Sequence, residues 1–169
     1  PNCMADVYSQ QGELYRSLAK QNRNEAAQYF RKAEEFCLNA KDLYSKAGDS
    51  LGLATSLEGL GGIYFDQEKY AQAMSYYNQA LHVYSLLNDY ENQAMCNYNL
   101  GSLHFNLNKY SEALKFFEQS LSLYQQLNLK PEIANSLSML GHTYLSLKPP
   151  RLEDARKNLQ SALSIYQVL

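Results

Sequence analysis

The stretch "NYNLGSLHFNLNKYSEALKFF" (residues 97–117) carries the apolar spacing of one helix, a short polar turn and the start of a second helix. Forty residues earlier the chain runs "LEGLGGIYFDQEKYAQAMSYY", and forty later "LSMLGHTYLSLKPPRLEDARKNL", so that Gly61, Gly101 and Gly141 are equally spaced. Other positions keep the same step: Leu60, Leu100 and Leu140; Ala40, Ala80 and Ser120; Tyr44, Tyr84 and Tyr124; Gly48, Asn88 and Asn128. Self-similarity at such a period marks helix pairs that bury their apolar faces by stacking on one another.

Gly48, Asn88 and Asn128 suit the left-handed backbone that ends a helix, and Asp49, Asp89 and the Lys130-Pro131 step suit the start of the next. Polar clusters at residues 66–69 and 106–109 divide each unit. The periodicity therefore predicts first (A) helices at 50–66, 90–106 and 131–146, and second (B) helices at 69–87, 109–127 and 152–168. The expected organisation is an irregular hairpin at 1–48, then units at 49–88, 89–128 and 129–169, all in one solenoid. Gly61, Gly101 and Gly141, facing Ala73, Ala113 and Ala155, let paired helices approach closely. In the first unit Gly12 and Ala33 are 21 residues apart where Gly61 and Ala73 are 12 apart. The nine extra residues are expected in the first B helix, begun by an Asn22–Glu25 capping box.

The pattern resembles the tetratricopeptide repeat. Its Leu-Gly-x-x-Tyr element stands at 60–64 and 140–144, and in degenerate form at 100–104. Its second-helix element is Tyr70, Ala73, Tyr77, Ala80, then Tyr110, Ala113, Phe117, Ser120, then Leu152, Ala155, Leu159, Ala162. The 40-residue step is similar to the extended repeats of kinesin light chains, Leu-Gly-Asn spindle adaptors and bacterial peptide-sensing regulators. The resemblance implies an all-α, right-handed superhelical stack of antiparallel hairpins. It also implies a concave groove lined by the A helices.

In that groove the resemblance places Glu58, Phe65 and Asp66 from one unit, with Thr55 and Gly62. Met95, Tyr98, Asn99, Ser102, Phe105 and Asn106 come from the next, and Asn135, Ser138 and His142 from the last, with Leu145. Asp6, Ser9, Glu13 and Arg16 are the counterparts in the first unit. Aromatic rings can cover apolar side chains of a peptide while Asn both donates to and accepts from its main chain. The family's carboxylate-clamp variant uses Lys and Arg on A helices, whereas this chain offers Glu58, Tyr98 and Ser102 there.

Of 169 residues, 46% are hydrophobic and the net charge is −2, with no basic run to serve as a nucleic-acid footprint. No stretch has the roughly 20 apolar residues of a membrane helix. Cys3, Cys37 and Cys96 have neither disulfide-framework nor metal spacing, pointing to packing roles and a cytoplasmic setting. His82, His104 and His142 form no helical ligand pair. His104, at the register of Tyr64 and Tyr144, is expected to pack with one ring nitrogen hydrogen-bonded. "GLGG" at 59–62 lies mid-helix, unlike a phosphate loop.

The expectation is a scaffold or adaptor without catalysis, cofactor or metal, whose partner is another protein presenting a neutral or basic peptide or helical segment. Alternatives are an architectural segment packed on another domain or subunit, and a peptide-gated regulatory domain. The chain opens on Pro1, and its last helix turns Leu163, Tyr166 and Leu169 outward. This suggests a piece of a longer protein, or self-association through that helix.

Overall fold

A computed structural model describes residues 3–168; Pro1, Asn2 and Leu169 lie outside the described residues, and with them Leu169's part in an outward apolar face. Among the described residues there are eight helices and no strand: α1 (Cys3–Gln21), α2 (Ala26–Ala47), α3 (Ser50–Asp66), α4 (Tyr70–Leu86), α5 (Tyr90–Asn106), α6 (Tyr110–Gln126), α7 (Lys130–Ser146) and α8 (Leu152–Tyr166). They divide into two compact units, Pro1–Leu87 and Asn88–Leu169.

The punctuation is regular. Gly48, Glu68, Asn88, Asn108 and Asn128 all have positive φ, and they recur every 20 residues. The left-handed residue reverses the chain and aims the next N–H back at the helix it has left: Asp49 N donates to Tyr44 O, Lys69 N to Tyr64 O, Lys109 N to His104 O and Leu129 N to Tyr124 O. These bonds satisfy carbonyls that the helix end leaves without partners. Asp49 Oδ1 then accepts from Gly52 N at 2.9 Å and Asp89 Oδ1 from Asn92 N at 3.1 Å, capping α3 and α5. In α7 a proline serves the first turn instead.

The first hairpin differs from expectation. No capping box forms, because Asn22 Nδ2 donates back to Leu18 O at 3.2 Å and so finishes α1 rather than starting α2. Nor does α2 absorb all the extra length. α1 runs nine residues beyond Gly12 where α3 runs five beyond Gly61. α2 begins eleven residues before Cys37 where α4 begins seven before Tyr77. Each helix is thus about a turn longer, and Gly12 still faces its partner helix as Gly61 does: a Cβ on it would collide with Cys37 Sγ.

In the first unit α1 pairs with α2 and α3 with α4, while α2 packs on α3 and α1 touches α3. Ala33, Cys37, Leu60 and Ile63 form one buried cluster, and Ala5, Ala40 and Tyr44 another. Leu60 and Ile63 are 0% exposed, and burial on that scale contributes about 1.5–3 kcal/mol per side chain. The second unit pairs α5 with α6 and α7 with α8 around Ala113, Phe117, Leu140, Tyr144 and Ala155. The small residues set the spacing. A Cβ on Gly61 would stand 2.6 Å from the Tyr77 ring, one on Gly101 2.7 Å from the Phe117 ring, and one on Gly141 2.6 Å from Leu159.

Candidate protein-binding surface

In the second unit, Met95, Tyr98, Asn99, Ser102, Phe105 and Asn106 recur at helical spacing along α5, and Asn135, Ser138 and His142 along α7, which touches α5. Met95, Asn106, Asn135 and His142 are exposed; Tyr98, Asn99, Ser102, Phe105 and Ser138 are half-buried. The two rings are anchored from beneath. Tyr98 meets the Phe117 ring edge-on at 5.5 Å, and Phe105 meets Tyr110 the same way at 5.4 Å. Burial, with Tyr166 nearby, pushes the Tyr98 phenol above its ordinary value, so it stays a neutral hydroxyl. Ser102 Oγ donates to Tyr98 O at 3.0 Å, and Tyr166 OH donates to Asn135 Oδ1 at 2.5 Å. The Asn135 amide is therefore half committed, its NH2 still able to donate.

Glu58, Phe65 and Asp66 lie on α3 in the first unit. Glu58 Oε2 accepts from Tyr84 OH at 3.2 Å, and Phe65 meets Tyr70 edge-on at 5.9 Å, repeating the Phe105–Tyr110 contact. Asp66 is held by two cations of α1: Arg16 Nε donates to its Oδ2 at 2.6 Å, and Lys20 Nζ lies 3.2 Å from its Oδ1. Glu13 joins Arg16 at 3.6 Å. In the first unit the Asp66 carboxylate is therefore already paired with cations of the same unit. Asp89 is likewise occupied, in capping α5. Asp6, counted with the groove, instead accepts from Tyr44 OH at 2.5 Å, tying α1 to α2. Lys20 escaped the sequence reading, although it stands one turn beyond Arg16.

His104 also departs from expectation. Its ring stacks on Phe116 at 5.1 Å, but its Nδ1 is buried with no hydrogen-bond partner among the described residues. Tyr64 OH and Tyr144 OH reach Glu34 at 2.5 Å and Glu118 at 3.3 Å, a reach the shorter imidazole lacks. Burial, with Lys109 adding to it, lowers the His104 pKa and keeps the ring neutral. Cys37 and Cys96 are buried and Cys3 exposed, and no group of His, Cys, Asp and Glu side chains among the described residues could hold a metal ion. A cleft of about 760 Å³ lies on the B-helix side of the first unit, with Leu53, Leu57, Tyr76 and Val83 among its walls. Nothing in the repeat signature marks it.

The family model described as tetratricopeptide repeat matches residues 25–85 and 92–167. The chain belongs to the tetratricopeptide repeat family. Repeats of this family generally mediate protein–protein interactions, and its members are typically non-catalytic. Among solved structures, the chain is similar to BtubC (BKLC) from P. vanneervenii, with a TM-score of 0.81 at 22% identity over 97% of this chain and 63% of that one. The chain thus spans less than two thirds of BtubC. It is also similar to the N-terminal domain of stress-induced protein-1 (STI-1) from C. elegans, TM-score 0.60 at 19% identity, covering 69% of this chain and 87% of that one. The MamA protein gives 0.56 at 17% identity, covering 97% and 92%. These likenesses establish the fold, an all-α tetratricopeptide solenoid of helix hairpins. No curated protein matches the sequence significantly. No helix among the described residues is long and apolar enough to cross a membrane.

Proposed function

We propose that this tetratricopeptide chain is a non-catalytic scaffold that holds a peptide or helical segment of another protein on the α5–α7 face of its second unit. One observation carries the reading: Tyr98 and Phe105 are pinned from beneath by Phe117 and Tyr110 yet remain half exposed, beside exposed Met95, Asn106 and His142. Pre-positioned rings lose little conformational freedom on binding, and neighbouring amides suit a peptide main chain. The segment is uncharged or mildly basic, and the acidic chain with its single-residue scatter of cations favours protein over nucleic acid or membrane lipid.

The test is recovery of partners from cell extract by the chain and by an Asn106→Arg, His142→Glu variant, whose exposed positions leave the core alone. A partner bound by the first and lost by the second supports the reading. Equal recovery by both moves it to the architectural alternative. That alternative draws on the first unit, where Arg16 and Lys20 already occupy Asp66 and tie one A helix to the next.

A further inference from the structure

The cleft of about 760 Å³ in the first unit takes no part in the α5–α7 site, and its volume is that of a binding pocket. α2 and α4, both packed on α3, are its walls, and Leu53 and Leu57 of α3 are its floor. Tyr76 and Val83 carry the apolar surface up the α4 wall. That wall is fixed in advance: the Tyr76 ring stacks on Tyr64 at 5.4 Å, 3° from parallel, and Tyr64 OH is in turn bonded to Glu34 of α2.

The rim is polar and without net charge. Lys41 Nζ lies 3.5 Å from Asp42 Oδ1, so the two cancel, while Ser45, Gln72, Ser75 and Gln79 are uncharged and exposed. Gln79 Nε2 donates to Ser75 O at 3.3 Å and to Ser75 Oγ at 3.2 Å, which leaves the Gln79 carbonyl to accept and the Ser75 hydroxyl to donate. The same stretch of the second unit is built differently. In register, Leu121 replaces Lys41 and packs on the core, and Asp154, Lys157 and Asn158 replace Gln72, Ser75 and Tyr76. The Asn158 amide turns back onto Asp154 O at 2.8 Å. The ring wall and the uncharged rim are therefore properties of the first unit and not of the repeat.

We infer that this cleft is a second binding site, which takes an extended, uncharged segment of about five residues from another protein and seats one aliphatic side chain on the Leu53–Leu57 floor. The length follows from α4: Gln72 to Val83 is about 16 Å of helix, which an extended chain covers in about five residues. The conformation follows from the rim. Side chains that offer both donors and acceptors find partners along an extended main chain, whereas a helix has spent its main-chain groups on itself. The charge follows from Lys41 and Asp42: a charged segment would give up its hydration and meet no uncompensated opposite charge.

Selection of displayed random heptapeptides on the whole chain tests this, with glycine-serine linkers on both sides so that no free terminus is offered. The enriched segments are expected to be uncharged with one aliphatic residue. As capped synthetic peptides they shift the methyl resonances of Leu53 and Val83 and the side-chain amide of Gln79. Ser45→Trp on one wall and Ser75→Trp on the other, both at exposed positions outside the core, each weaken binding about tenfold or more with unchanged helical circular dichroism. A selection that enriches nothing beyond what the Ser75→Trp chain also retains overturns the inference. So do enriched segments that are charged, that are helical when bound, or whose binding survives either substitution, for then the cleft is not their seat.

Discussion

Gly62 leaves the space in which the Arg16 guanidinium lies: a Cβ on residue 62 would collide with it, and from that place Arg16 Nε reaches Asp66 Oδ2 at 2.6 Å. Adjacent Gly61 instead faces the Tyr77 ring. Two neighbouring glycines therefore answer to different obstacles, one a flexible chain end and the other a buried ring.

The expected outcomes separate accordingly. Gly62→Ala displaces Arg16 and loses about 0.5–1 kcal/mol of ion pairing, but gains a similar amount of helix propensity, so its melting temperature hardly moves. Gly61→Ala must push Tyr77 out of the core and costs about 1–3 kcal/mol net, seen as a lower denaturation midpoint with unchanged m-value. Equal effects of the two substitutions would contradict this assignment.

Glu68 is the one left-handed residue among the five helix ends that is neither Gly nor Asn, with φ of 60°. Its side chain is exposed and its conformation costs a residue with a Cβ about 1 kcal/mol. Glu68→Gly is expected to stabilise the first unit by about that amount, and Glu68→Asn by somewhat less, in denaturant melts.

Alkaline pH should weaken the fold. Burial pushes the Cys37 thiol from 9.0 up to about 12. Burial and then the bonds to Asp6 and Glu34 push the Tyr44 and Tyr64 phenols well above 10.0. The unfolded chain releases these protons at ordinary values while the folded chain keeps them, so their contribution is whole below about pH 9 and is lost as pH climbs. Tyr44→Phe should flatten the decline above pH 10 while lowering stability at neutral pH by about 1 kcal/mol, the worth of its hydrogen bond.

Thiol labelling offers an independent check on the core. Cys3 is exposed and should react with a thiol reagent at the rate of a free peptide, whereas buried Cys37 and Cys96 should react only as the chain opens. One fast equivalent and two slow ones are expected, the slow pair accelerating with denaturant. Rapid labelling of all three would show the hairpins to be looser than their packing implies.

The helix pattern was legible because its signals are local. A glycine, an asparagine and an aspartate at fixed steps announced the ends of α2 and α4 and the starts of α3 and α5, and the helices stand there. Positions whose roles depend on a distant partner were harder to read. Nothing in "NRNE" at 22–25 reveals that Asn22 turns back onto α1, since the same letters suit either helix end. Asp66 read as a groove carboxylate because Arg16 and Lys20 lie about 50 residues away on another helix. Tyr98 and Phe105 read as ligand anchors, yet their undersides are part of the core, a duality that helical periodicity cannot express.

Reversing the chain every 20 residues also bears on how the fold is reached. Within each unit, helices pack on those next or next but one along the chain, so few contacts wait on the closure of a long loop. A chain so arranged has low contact order and is expected to fold rapidly, its nucleus free to arise in more than one hairpin. The longer α1–α2 pair, with more intrahelical bonds and the Tyr44–Asp6 clasp, is expected to be one such nucleus.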